Sequence, residues 1–393
     1  MQSFDQGKGI SRIQSTVSVQ PVPDSPLRPA YPPVSDFISF MERELDSSRT
    51  VGAAYAIVRN GKIDCTRTFG ETRKGSGIGV DENTIFRLAS VSKGFAGAMA
   101  CILDQEGVLS LDDRVVVRYP GFRLKDSVST SDMTIRNLLS HTTGLVPFAF
   151  DNLVEAGDDL GHIVDRLDEV DISAPPGAIY GYQNVTFSMW DPIARRATGI
   201  PYQILLEKLI FNPLGMKNAS AGPIQSDQIQ NMAYPHVRGK MGYTVLDPYI
   251  GYYNVLPAAG VNASIADMGQ WLLALLGHKP EQFPDTVRRM LEEPVIYTPL
   301  KYRYTRYWRP FKERYYGLGW RIYFYRGRKI MYHGGYIRGY RAEIGYCPQE
   351  DAGIAFLQNS PNNLASKCVP RFFDLYFDYL ERSPAGTAPF IAP

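Results

Sequence analysis

Strand-like segments occupy the two ends of this chain and helical ones its middle, and no other feature limits the fold as strongly. Val51 to Val58 and Lys62 to Phe69 flank Asn60-Gly61, the dipeptide of a tight hairpin. Beta character returns with Gly319 to Tyr325, Lys329 to Tyr332, Tyr340 to Tyr346 and Gly353 to Gln358, and Leu364 to Glu381 then has helical periodicity. Between them the pattern is helical and loop-like, with helices expected near Ile135 to Leu139, Val185 to Arg196, Tyr202 to Leu209 and Ile265 to Leu276. Strands from the two ends can share one sheet, which makes the middle an insertion. The expected class is therefore α+β. Residues 36–118 and 298–385 would form an α/β lobe and 119–297 a helical lobe, with a cleft between them as the place for a site. Residues 1–35, with Pro21, Pro23, Pro26, Pro29, Pro32 and Pro33, have the composition of an extended tail, and 386–393 form a second one.

Composition excludes several classes. At 393 residues, 44% hydrophobic and 21% charged, the chain can bury a large core. A net charge of +2 gives no global pull toward nucleic acid. No apolar run reaches the eighteen or so residues of a membrane span, and Met1 to Gln20 lacks the hydrophobic stretch of a signal peptide. The compartment stays open: an export signal ahead of this sequence would place the protein in the periplasm or outside the cell, and without one it is cytoplasmic. Cys65, Cys101, Cys347 and Cys368 form no C-x-x-C pair and have no histidine at ligand spacing, so they are expected to be structural thiols, with no metal and no cofactor.

The chemistry-bearing feature is Ser90-Val-Ser-Lys93. It follows the apolar stretch Thr84 to Ser90 and precedes a helical pattern from Val91 to Glu106 that Gly107 stops. Lys93 then lies about one helical turn above Ser90, within reach of its proton, and the free N–H groups of the helix start favour an oxyanion. With 25 Ser and 13 Lys in the chain, the spacing alone is expected about once by chance, and an ordinary helix cap is the competing reading of Ser90. Two further segments suit a hydrolytic site. Tyr182-Gln-Asn184, after Pro175-Pro-Gly177, offers a phenol and an amide; Tyr252-Tyr-Asn254 matches the same pattern. His333-Gly334-Gly335 ends an extended run where glycines admit a close backbone approach.

Ser-x-x-Lys, then Tyr-x-Asn, then His-Gly-Gly resembles the serine beta-lactamase and penicillin-binding-protein family, most closely its class C, DD-carboxypeptidase and family VIII carboxylesterase branch. Phe86 to Lys93, Gly107 to Asp113, Leu138 to Leu145, Asn212 to Met216 and Tyr316 to Trp320 resemble recurring segments of that family, over roughly residues 35 to 382. The resemblance implies an antiparallel sheet flanked by helices with an inserted, mostly helical lobe. It implies acyl transfer in which Ser90 is the nucleophile, Lys93 and Tyr182 share the removal of its proton, and Asn184 contacts substrate or positions Lys93. His333, Gly334 and Gly335 would border the substrate, and the backbone N–H groups of Ser90 and Tyr336 would hold the oxyanion. The expected substrate is a small molecule or peptide, with a D-alanyl peptide such as that of a cell wall favoured and a small ester as the rival.

Two features stand apart from that pattern. Family members that bind penicillins well carry Lys-Thr-Gly where this chain has His333-Gly-Gly335, which weakens carboxylate recognition in principle. Lys301 to Lys329 interleaves eight arginines and lysines between those two lysines with Tyr302, Tyr304, Tyr307, Trp308, Tyr315 and Tyr323. Such a segment suits an anionic polymer or a lid, and its extreme reading is a binding protein that has kept only the fold. Balanced charge elsewhere favours packing instead, with no nucleic acid as partner. His141 is expected to pack rather than to act as a triad base, since no acid is placed to orient it.

Overall fold

A computed structural model describes residues 31–382, apart from 226–227, 249, 300–305 and 311–312. The first hairpin forms as its turn chemistry dictates: strands β1 (Gly52–Arg59) and β2 (Lys62–Gly70) are joined by Asn60 and Gly61, both with positive φ (50° and 74°). Three short strands follow, β3 (Phe86–Arg87), β4 (Ser220–Ala221) and β7 (Val261–Ala263), with the β5 (His236–Gly239) and β6 (Gly242–Val245) hairpin between the latter two. The C-terminal part supplies β8 (Ile296–Tyr297), β9 (Glu313–Tyr316), β10 (Arg321–Tyr325), β11 (Arg328–Ile337), β12 (Tyr340–Cys347) and β13 (Ala352–Gln358). The main sheet runs β2-β1-β13-β12-β11-β10-β9-β8 and every pair in it is antiparallel. Strands from both ends of the chain therefore meet at the β1–β13 seam, which is why the middle is an insertion.

The two faces of the sheet bury different parts of the chain. Ala54, Ala56, Val58, Ile344, Ala355 and Leu357 pack against the central helices, in one core that includes Phe95, Trp190, Phe211 and Trp271. Ala53, Tyr55, Ile57, Ile354 and Phe356 point the opposite way, onto helix α1 (Pro32–Ser48) and the C-terminal helix Asn363–Arg382. Alternation along β1 and β13 thus reflects a period of two with both faces covered.

Helix α1 corrects the expected tail. It begins at Pro32, inside the segment assigned to residues 1–35, because proline suits the first helical turn and Val34, Phe37, Met41 and Leu45 give the helix an apolar stripe. The rest of that segment, residues 1–30, and the tail 386–393 lie outside the described residues. The mostly helical insert also carries strands: β3 pairs with β7, and β7 with β4, so residues 86–87 are stitched to 220–221 and 261–263 by a small sheet of their own.

Helix α2 (Ser92–Gln105) is the central helix, with Ser92 to Leu103 all buried. Its backbone lies directly on the turn before β10. A Cβ on Gly97 would sit 2.1 Å from the Leu318 carbonyl oxygen, and one on Gly319, whose φ is +78°, 2.1 Å from that of Lys93. Close approach of two backbones here fixes α2 against the sheet. The four cysteines are free and buried.

Candidate active site

Ser90 stands on a single 3-10 turn, Ala89–Val91, that feeds into α2. Ala89 before it has φ 48°, a left-handed conformation that costs an alanine roughly 1 kcal/mol and turns the chain sharply from β3 into the helix. Ser90 therefore projects from the corner between strand and helix, and it lines a cavity of about 380 Å³.

Lys93, one turn on, is fully buried. Its Nζ lies 3.4 Å from Ser90 Oγ and donates to Asn184 Oδ1 at 2.9 Å and to the Ala258 carbonyl at 3.0 Å. Burial, reinforced by Arg321 and opposed by Asp151, pushes its pKa well below the usual lysine range. The Tyr182 hydroxyl donates to Ser90 Oγ at 2.9 Å, and burial raises the phenol's pKa, so it keeps its proton. The hydroxyl of Ser90 thus sits between a phenol that donates and an amine whose charge burial disfavours.

The other Tyr-x-Asn match is resolved by its bonds. Asn254 Nδ2 donates to the carbonyls of Val154 and Asp158, while Tyr252, which lines the cavity, donates to Glu155. Opposite Ser90, β11 runs straight through Gly334 and Gly335 as part of a ten-residue strand, longer than Lys329 to Tyr332. A Cβ on Gly335 would lie 2.2 Å from the Leu88 carbonyl oxygen and 3.1 Å from the Ser90 nitrogen. The amide of Ser90 and the backbone of Gly335 therefore lie side by side at the cavity. Gly335→Ala is expected to push β11 off that turn and to lower turnover at least about a hundredfold, measured as kcat with thermal unfolding as the control for folding.

The profile of the Beta-lactamase family matches residues 37–375. This chain belongs to the beta-lactamase family. Among curated relatives it is 30% identical over 193 residues to penicillin-binding protein 4 of Amycolatopsis lactamdurans, covering 49% of this chain and 49% of the relative. It is 25% identical over 372 residues to an unguisins hydrolase of Aspergillus violaceofuscus, covering 81% and 60%. It is 22% identical over 347 residues to protein flp of Staphylococcus aureus, covering 86% and 64%. The chain thus spans about half to two thirds of the length of these relatives. The octameric penicillin-binding protein homologue from Pyrococcus abyssi shares its fold, with a TM-score of 0.74 at 22% identity over 91% of this chain and 80% of that one.

Within that family frame, one residue departs from expectation: His333, expected to border the substrate, is not among the residues that line the cavity. Its ring is 1% exposed, with Nε2 3.1 Å from the Tyr316 hydroxyl and Nδ1 3.0 Å from the Gly334 carbonyl oxygen. Burial, with Arg321 and Lys93 nearby, drives its pKa far down and leaves it neutral. Gly334, Gly335 and the exposed ring of Tyr336 do line the cavity, as does Asn184, which also holds Lys93. His141 packs: its ring lies 4.2 Å from that of Tyr182, and its Nδ1 accepts from the Gln183 N–H at 3.1 Å. Burial lowers its pKa too.

The cavity contains groups that motif reading passed over. Asp151 is on its wall, and so are Arg314, Arg321 and Arg341. Arg321 lies 5.6 Å over the Tyr182 ring. Three arginines thus line the cavity: Arg314 and Arg321 come from the basic aromatic segment, and Arg341 is ion-paired with Glu343. Other arginines of that segment are ion-paired: Arg309 with Asp378, Arg326 with Asp378 and Glu381, and Arg328 with Glu350. Its aromatic residues pack, Trp308 edge-on to Tyr323, Tyr325 and Tyr332. Lys301, Tyr302, Arg303, Tyr304 and Lys312 lie outside the described residues. Among the described residues, no helix is long and apolar enough to cross a membrane and no group of three or more His, Cys, Asp or Glu could hold a metal ion.

Proposed function

We propose that this protein is a serine hydrolase that cleaves an amide or ester through an acyl-enzyme on Ser90. The observation that carries the reading is the position of Ser90 Oγ, 2.9 Å from the Tyr182 hydroxyl and 3.4 Å from Lys93 Nζ, with burial disfavouring charge on both partners. A neutral amine has two N–H bonds and one lone pair. Asn184 Oδ1 and the Ala258 carbonyl, which can only accept, take the two N–H bonds and leave the lone pair to Ser90. As Oγ attacks the carbonyl, its proton passes to Lys93 Nζ. The new C–O bond forms while the oxyanion is held at the Ser90 and Tyr336 amides. The proton held on Lys93 is relayed through Tyr182 to the leaving group, whose bond to the carbonyl carbon then breaks, so that amine and phenol both return to their starting state. Water repeats the sequence to release the acid.

The favoured substrate is a D-alanyl peptide, of the kind found in a cell wall. Its terminal carboxylate suits a cavity wall carrying Arg321 and Arg314. Two of the relatives described above are named as a penicillin-binding protein and as a hydrolase, which agrees with this class. A small ester is the second reading, supported by the aromatic walls of Tyr180, Tyr252, Tyr323 and Tyr336. Fluorescent penicillin labelling beside hydrolysis of p-nitrophenyl acetate separates the two. Stable labelling supports the peptide reading; ester turnover without labelling supports the ester reading; neither, in intact protein, leaves only the fold and removes the proposal. Arg321→Ala should raise KM for a carboxylate-bearing peptide about tenfold or more while changing KM for the uncharged ester less than twofold. Equal effects on both substrates would count against carboxylate recognition.

A further inference from the structure

One carboxylate beside Ser90 has no part in the proton path just described. Asp151, at the start of the short helix Asp151–Ala156, lines the cavity, and its two oxygens accept from Asn184 Nδ2 at 3.2 and 3.0 Å. A carboxylate can only accept, so the amide's NH2 is held on that side and its Oδ1 is turned the other way. There Oδ1 accepts from Lys93 Nζ at 2.9 Å. The reverse orientation would set an NH2 against the lysine and an oxygen against the carboxylate.

We propose that Asp151 is a positioning residue for Lys93: through Asn184 it fixes where the amine sits, and through its negative charge it sets how firmly the amine holds the proton taken from Ser90. This role rests on the reading of Lys93 as the base. The groups that bear on the pair come from several elements. Arg321 of β10 acts on Lys93, and Glu155, one turn along the helix of Asp151, acts on Asp151. Glu155 also accepts from Tyr252. Tyr182, His141 and His333 are held neutral by burial. Burial pushes the Asp151 carboxyl up to about 6, so it is charged above that pH. Its charge raises the pKa of Lys93, against the burial that lowers it.

The signs give the test. Removing the charge lets burial depress the lysine further, so the base stays deprotonated to lower pH but becomes weaker. Release of nitrophenol from p-nitrophenyl acetate by the full chain, followed at an isosbestic wavelength from pH 4.5 to 9 with Ser90→Ala as background, reads both effects. For Asp151→Asn the acid limb of kcat/KM should move down by about one pH unit and the plateau should fall about three- to tenfold. Asp151→Glu keeps the charge and should keep the limb near its wild-type position, with only the plateau reduced. A limb unmoved in Asp151→Asn, a loss equal at every pH, or a limb displaced as far in Asp151→Glu as in Asp151→Asn would overturn the role while leaving Ser90 catalysis intact. Should Asp151→Asn fail to fold, Asp151→Ser, which also removes the charge, takes its place: the limb is expected to move down likewise, and an unmoved limb overturns the role. Absence of any Ser90-dependent nitrophenol release in the wild type would instead overturn the proposed hydrolase, and this role with it.

Discussion

Ser90→Ala is expected to abolish covalent labelling and to lower turnover by about 10⁴-fold or more. The size follows from the arrangement: Lys93, Tyr182 and the two amides all act on one oxygen, and without it they have nothing to activate. The change should leave the fold intact, since Ser90 is only partly buried and its neighbours keep their other partners. Thermal unfolding within a few degrees of wild type, together with loss of the mass increment on incubation with penicillin or ester, is the expected result. Turnover near the wild-type rate in a folded Ser90→Ala protein would end the assignment.

Lys93→Met should reduce turnover about 10³-fold and alter stability in a way that depends on pH. Methionine is unbranched and close in length, so it can occupy the space beside Tyr182 and Phe187 that the lysine chain fills. The lysine's folded-state pKa lies well below its unfolded value near 10.4. Between those two values the unfolded chain binds a proton that the folded one does not, so the stability present above about pH 10.4 is lost as pH falls toward the folded pKa. The slope approaches 1.36 kcal/mol per pH unit for a single group. Lys93→Met removes that group, and its urea midpoint should vary less between pH 8 and 10 than the wild type's. Equal slopes in the two proteins would mean that Lys93 is charged in the fold.

The motifs legible in the sequence were those whose spacing is set by one local element. Ser90 and Lys93 share one helical turn, and Asn60-Gly61 demands a hairpin, so both could be placed from the residues alone. Tyr182 and Tyr252 could not be told apart from their own residues, because what separates them is the tertiary position of their asparagines, bonded to Lys93 Nζ in one case and to the Val154 and Asp158 carbonyls in the other. Asp151 belongs to no motif; its role exists only because Asn184 lies beside it. The extent of β11 was understated since Gly334 and Gly335 have poor strand propensity, yet the sheet needs their missing side chains to let the strand pass Ser90. The arginines of 301–329 looked like one patch. Packing divides them between the cavity wall and ion pairs to the C-terminal helix and Glu350.

The glycine contact that seats α2 on the turn before β10 has a consequence for how such a protein can diversify. Nucleophile, amine and the strand opposite are welded into one block whose spacing leaves no room for even a methyl group. Pro147, Phe148 and Tyr252, by contrast, belong to the wall across from it, where side chains can be exchanged without disturbing that weld. New specificities should therefore arise by recutting the wall while the engine stays as it is.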